Sequence, residues 1–135
     1  MFSHLFVGVA DFARAHAFYA PLMSDLGLRR RFLDADHQWA AWQQPAGGRP
    51  LFIIGRPYDG QPHDAGNGQT TAFMAADRAT VERVHRAALA AGGAGGDAPG
   101  LRPHDHAHDH GAYFRELDGN KPCVVWRDAP DAGTS

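Results

Sequence analysis

The residues best equipped for chemistry form one run, Arg102-Pro103-His104-Asp105-His106-Ala107-His108-Asp109-His110, with four of the chain's nine histidines. In an extended segment alternate side chains share a face, so all four imidazoles would line up. Neighbours at that spacing can share Zn²⁺ or Ni²⁺, with Asp105 or Asp109 orienting the rings. A helix would instead pair His104 with His108 and His106 with His110, but Gly100, Pro103 and Gly111 favour a loop. Taken as composition alone, such a tract is a solvated loop that picks up metal adventitiously. Folded over a cleft, it would offer Arg102, His104 and His106 to an anionic or carbonyl-bearing ligand, with imidazoles able to trade protons near neutral pH. Cys123 is the single cysteine, a soft ligand as thiolate but ordinarily a small buried apolar residue. No Ser or Thr has an evident His and acid partner, and Gly92-Gly93-Ala94-Gly95-Gly96 lacks the lysine and helix start of a phosphate loop.

The elements that must position these residues occur twice. Phe6-Val7-Gly8-Val9-Ala10-Asp11 aligns with Ala72-Phe73-Met74-Ala75-Ala76-Asp77, and Gly27 with Gly93, at one offset (77 − 11 = 66) that also aligns His4 with Thr70. Each copy reads as a short apolar strand, an Asp suited to N-capping, a helical pattern and a glycine stop. The first half predicts a strand over Phe2 to Val9, a helix from Asp11 to about Leu26, and strands over 28–33, 38–43 and 50–54. The second predicts a strand over Gln69 to Ala75, a helix from Asp77 to about Ala91, a weak strand and long loop over 92–111, and a hairpin of 112–117 and 121–126 around Asp118-Gly119-Asn120. Strand alternation sets His4, Phe6 and Gly8 on the face away from the helix, with Thr70, Ala72 and Met74 as their counterparts. Pro50-Leu51-Phe52-Ile53 resembles Pro122-Cys123-Val124-Val125 (122 − 50 = 72), which would make Leu51 and Cys123 equivalent.

The expected architecture is therefore α+β, two βαβββ modules forming a cupped mixed sheet around a cleft with helices on the outer face. One domain spans 1–127, with module one at about 1–55, an exposed linker at 56–68 and module two at 69–127; the 128–135 tail has nothing to bury and is expected to be mobile. Trp39 and Trp42, three apart on one strand, must face opposite ways, so only one can line the cleft; Tyr113 and Phe114 pose the same question. A net charge of −2 with scattered basic residues gives no basis for a nucleic-acid partner. Without a signal peptide pattern, a membrane-length apolar run or a cysteine pair, a cytoplasmic protein is expected.

The doubled βαβββ plan, Ser3-His4-Leu5 running to Asp11, Phe18-Tyr19, Leu26-Gly27-Leu28 and Leu117-Asp118-Gly119-Asn120-Lys121 together resemble the vicinal oxygen chelate superfamily. This group includes lactoylglutathione lyase, extradiol dioxygenases, fosfomycin-modifying enzymes and bleomycin-sequestering resistance proteins. Gly66-Asn67-Gly68, Ala72-Phe73 and Gly100-Leu101-Arg102-Pro103-His104 resemble its small bacterial glyoxalase-like members. The resemblance implies two modules cupped around a cleft, commonly completed by homodimerisation, and metal ligands from the first and fourth strand of each module.

Carried onto this chain, those ligand positions are His4, Leu51, Thr70 and Cys123, of which Leu51 cannot ligate and Thr70 is a poor ligand. Two donors, His4 and Cys123, fall short of the three or four that zinc sites use. Two readings follow. One is a cleft protein binding a small organic molecule without metal, contacting it through His4, Phe6, Leu51, Thr70, Met74, Arg102, His104, Cys123 and one tryptophan. The other is a glyoxalase-like lyase, isomerase or dioxygenase relative that uses Zn or Ni, with His4, His104 and His106 as ligands or acid/base groups.

Overall fold

The structure, a computed structural model, describes residues 1–95 and 109–127. The run from Arg102 to His108 and the tail from 128 onward, together with the expectations placed on them, lie outside the described residues. The order of elements is β1 (His4–Gly8), α1 (Phe12–Asp25), β2 (Arg29–Asp34), β3 (Trp39–Gln43), β4 (Leu51–Gly55), β5 (Thr71–Met74), α2 (Arg78–Ala90), β6 (Ala94–Gly95), β7 (Asp109–Arg115) and β8 (Pro122–Arg127). This is βαβββ twice. The strands form two four-stranded mixed sheets, ordered β1-β4-β3-β2 and β5-β8-β7-β6, with β1 parallel to β4 and β5 parallel to β8. In the described residues β1 and β5 are therefore both edge strands.

Each helix starts where its aspartate can accept backbone donors. Asp11 Oδ1 accepts from the Arg14 amide at 3.1 Å, and Asp77 Oδ1 accepts from the Thr80 amide at 2.7 Å and from its hydroxyl at 2.6 Å. The Thr80 hydroxyl and then its amide hold the Asp77 carboxyl below its usual value. Helix α1 stops at Gly27, whose φ of 78° lets Gly27 and Leu28 return amides to the Ser24 and Met23 carbonyls. The apolar faces of both helices meet the sheets in one core, which joins Phe18, Leu22 and Ile54 of the first half to Val81, Val84 and Val124 of the second. A smaller cluster of Ala41, Leu51 and Ile53, with Phe32 against it, occupies the opposite face of the first sheet.

A polar clamp also joins the halves. The turn between β7 and β8 bends at Gly119, and the buried Glu116 carboxylate accepts the Asp118 amide at 2.6 Å and the Asn120 amide at 3.1 Å through Oε1. Its Oε2 accepts the Tyr19 hydroxyl of α1 at 3.0 Å. Burial, and then the negative charge of Glu116, push the Tyr19 phenol far above its ordinary value, so it stays a hydrogen-bond donor. Arg14 of α1 reaches Asp118 Oδ1 at 2.9 Å, and Asn120 Nδ2 donates to the Gly8 carbonyl at 2.8 Å. A five-residue turn is thus bonded to a helix and a strand of the other half.

The repeat holds in the helices and first strands but shifts in the last strands. Val9 donates to the Gly55 carbonyl, and Ala75 donates to that of Val125 in the same geometrical role, which fixes the last-strand offset at 70 (125 − 55 = 70) and not 72. Leu51, the register partner of His4, therefore corresponds to Lys121, while Cys123 corresponds to Ile53 and pairs with Ala72. The proline match that suggested 72 placed two like-looking tetrapeptides in different register.

Truncating Glu116 should cost more than truncating its partner. Glu116→Ala strands the buried phenol and two amides and is expected to lower stability by about 3 kcal/mol, against about 1 kcal/mol for Tyr19→Phe, both read from urea unfolding. Asp77, with its carboxyl held low, contributes fully above the ordinary carboxylate range and loses that contribution as pH falls through its folded value. Asp77→Ala should lower the melting temperature at neutral pH and flatten its decline on the acid side.

Candidate functional site

The two edge strands do not close on one another. Between them runs a cavity of about 790 Å³, within the range of about 300–1,000 Å³ usual for small-molecule sites. Its first wall is β1 with the Trp39 side chain, its second is the approach to β5 and the 120–122 end of the turn, and residues 57–65 cross it.

Strand alternation explains the first wall. Phe6 and Gly8 lie on the face of β1 away from α1, as Val9 enters the core. Gly8 and Gly55 are register partners, and both lack the side chain that would fill the end of this face. A Cβ at Gly55 would come within 3.0 Å of both Phe6 and Trp39, and one at Gly8 within 2.6 Å of His63 Nδ1. The cavity also wraps the free edge of β1 to reach Tyr19, Phe52 and Phe73, where the last two rings meet edge to face at 4.8 Å between centroids. Trp42, in contrast, packs in the core with Phe52. Phe114 is likewise core, whereas Tyr113 lies under the Lys121 ammonium.

Of the residues singled out from the sequence, His4, Phe6 and Thr70 line this cavity. Leu51 is 6% exposed, in the small cluster behind the strand, and Cys123 is 4% exposed; neither lines it. Met74 does face away from the core, but at 71% exposure it points to solvent outside the cavity. Arg102, His104 and His106 lie outside the described residues. His110 stands on β7 opposite Trp126, its Nε2 3.8 Å from Glu82 of α2, and does not line the cavity.

The sequence reading missed His63, together with the role of its loop. Residues 56–68 read as an exposed linker because of their prolines and glycines, yet His63 is half-buried, with Nε2 at 3.0 Å from Asn120 Oδ1. The available signal was the pair of bare strand positions, Gly8 and Gly55, which left room for something to pack.

The residues at the metal-ligand positions do not fit a divalent ion. With the register corrected they are His4, Leu51, Thr70 and Lys121. Thr70 spends its hydroxyl on the Lys121 carbonyl and His4 Nδ1 lies 3.0 Å from Ser3 Oγ. One imidazole does not make a zinc site. Among the described residues no three His, Cys, Asp or Glu side chains are grouped to hold an ion, and no helix is long and apolar enough to cross a membrane.

Comparison with solved structures places this geometry. A glyoxalase/bleomycin resistance protein from Albidiferax ferrireducens T118 is 35% identical, over 94% of this chain and 99% of that one, with a TM-score of 0.82. A glyoxalase-related enzyme from Fulvimarina pelagi shares the fold at a TM-score of 0.69 and 15% identity, over 94% of this chain and 88% of that one. So does a glyoxalase/bleomycin resistance protein/dioxygenase family enzyme from Burkholderia phytofirmans PsJN, at 0.66 and 13%, over 93% and 98%. No protein-family model matches the chain, and no curated protein does. Two βαβββ modules, and more than a third of residues shared with the Albidiferax protein along nearly the whole of both chains, establish that this chain belongs to the glyoxalase/bleomycin resistance protein/dioxygenase superfamily.

Proposed function

We propose that the protein binds a small, mainly apolar organic molecule in the cavity between β1 and β5, without a metal ion at the positions where relatives chelate one. The observation that carries this reading is the cavity's lining: Phe6, Trp39, Phe52 and Phe73 supply aromatic walls, while the metal-ligand positions hold one imidazole, an aliphatic chain, a committed hydroxyl and an amine. Aromatic walls with a few polar groups suit capture of a ring compound. Among the described residues, those positions give a Lewis acid no ligand set.

The binding assay uses anilinonaphthalene sulfonate as a fluorescent aromatic probe. Trp39→Ala and Phe6→Ala are each expected to weaken probe binding about tenfold, as removal of a partly buried aromatic from the wall would. A strong chelator should leave the affinity unchanged. Loss of binding on chelation, restored by Zn²⁺ or Ni²⁺, would return the protein to the metal-dependent lyase or isomerase reading.

The binding form is a homodimer in this proposal. Unpaired edge strands are places where further chains add, and β1 and β5 each carry an exposed apolar side chain, Leu5 and the 71%-exposed Met74. Sedimentation equilibrium should give twice the chain mass, and Leu5→Lys combined with Met74→Lys should give the monomer. An unchanged mass in that variant, or a monomeric parent, would remove this part.

A further inference from the structure

We infer that His63 is the proton acceptor of this cavity, and that the cavity takes a planar ring compound bearing one acidic hydroxyl group. The inference rests on reading the cavity as a small-molecule site and adds what that site recognises.

The argument begins with an amide that can point only one way. Asn120 Nδ2 donates to the Gly8 carbonyl at 2.8 Å, so Oδ1 is the atom turned towards His63, and its backbone amide is held by Glu116. An amide oxygen accepts and cannot donate, so His63 Nε2, 3.0 Å away, must carry the proton. In a neutral imidazole that leaves Nδ1 as the acceptor. Among the described residues Nδ1 has no hydrogen-bond partner, and it is not among their buried ring nitrogens without a partner, which are Nε2 of His16, His85 and His110. The ring also has a seat. It packs over Gly8 where a Cβ would stand 2.6 Å from Nδ1 and 3.1 Å from Cε1.

Several other polar groups of the wall are committed, whereas His4 Nε2 and the side chains of Tyr58, Gln61, Gln69 and Thr71 also line it with no hydrogen bond among the described residues. The Tyr19 hydroxyl donates to Glu116, and that of Thr70 donates to the Lys121 carbonyl. Asp59 and Asp64 each give an oxygen to a backbone amide of their own loop, from Gln61 and Gly66. The Lys121 ammonium lies over the Tyr113 ring. His63 Nδ1 is thus an acceptor held in a fixed orientation, without a partner among the described residues, in a cavity that Phe6, Trp39 and Phe73 also line.

The ligand that completes it donates a hydrogen bond from a hydroxyl on a flat apolar body. If that hydroxyl is acidic enough, its proton passes to Nδ1. The O–H bond breaks and the N–H bond forms, the oxygen keeps the electron pair, and an oxyanion faces an imidazolium whose Nε2–H stays on Asn120 Oδ1. The charged groups lining the same cavity are Asp59, Asp64 and Lys121, with Glu116 behind Asn120.

Equilibrium dialysis with para-nitrophenol and para-nitroanisole tests this, since the two differ by one O–H proton. Wild-type protein should prefer the phenol about tenfold, the size of one well-placed hydrogen bond to a basic nitrogen. His63→Phe should bring that preference to about one. Gly8→Ala should do the same by displacing the ring, since Gly8 has no positive φ to forbid alanine. On the wild-type protein, imidazole nitrogen chemical shifts should move at Nδ1 of His63 with the phenol and not with the anisole, a readout that needs no variant to fold. A preference that survives His63→Phe, or an unmoved Nδ1, would overturn the inference and leave the cavity reading intact. Failure of both probes to bind would overturn the two together.

Discussion

A single buried carboxylate holds this molecule in its working shape. Glu116 satisfies two amides of its own turn and the phenol of Tyr19, so the β7–β8 turn cannot leave α1 without stranding that buried phenol. Such a group is costly to bury and becomes favourable only because both of its oxygens have partners. From that anchor follow the Asp118 contact to Arg14, the bond from Asn120 to the Gly8 carbonyl, and the position of His63. The apolar core brings the halves together, but apolar contacts are non-directional. The turn sets how β1 and the hairpin sit, and hence the width of the space between them.

Much of the fold was legible because it rests on local rules. The aspartate caps, the glycine stop after α1, and the alternation that puts Trp39 and Trp42 on opposite faces each depend on a few neighbouring residues. Register across the sheet is a different kind of quantity, set by which carbonyl meets which amide in a distant strand. A match between two proline-led tetrapeptides could not reveal it, and Cys123 was made the counterpart of Leu51 when it corresponds to Ile53 and pairs with Ala72. The loop is exposed over most of its length, as its composition suggested, but composition says nothing of a lone imidazole that finds a glycine opposite it. His4 and Phe6 were found because they lie on a strand, and Thr70 because it leads into one; His63 lies on none.

Correcting the register also changes what the internal repeat says about chemistry. With Lys121 as the counterpart of Leu51, neither module offers a pair of donors where first and last strands meet, and the two modules fail in different ways: one opposes imidazole to an aliphatic chain, the other a bonded hydroxyl to an amine. The scaffold retains its twofold plan, while His63 meets Asn120 off that symmetry, where the crossing loop reaches the turn.

The cavity is bounded on one side by β1 and Trp39 of the first half and on the other by Asn120 and Lys121 of the second. Whatever fills it becomes a rivet between the halves. Its binding energy is then added to the free energy holding them together, so occupancy and resistance to unfolding rise as one quantity. An empty chain would be easier prey for a protease than a loaded one.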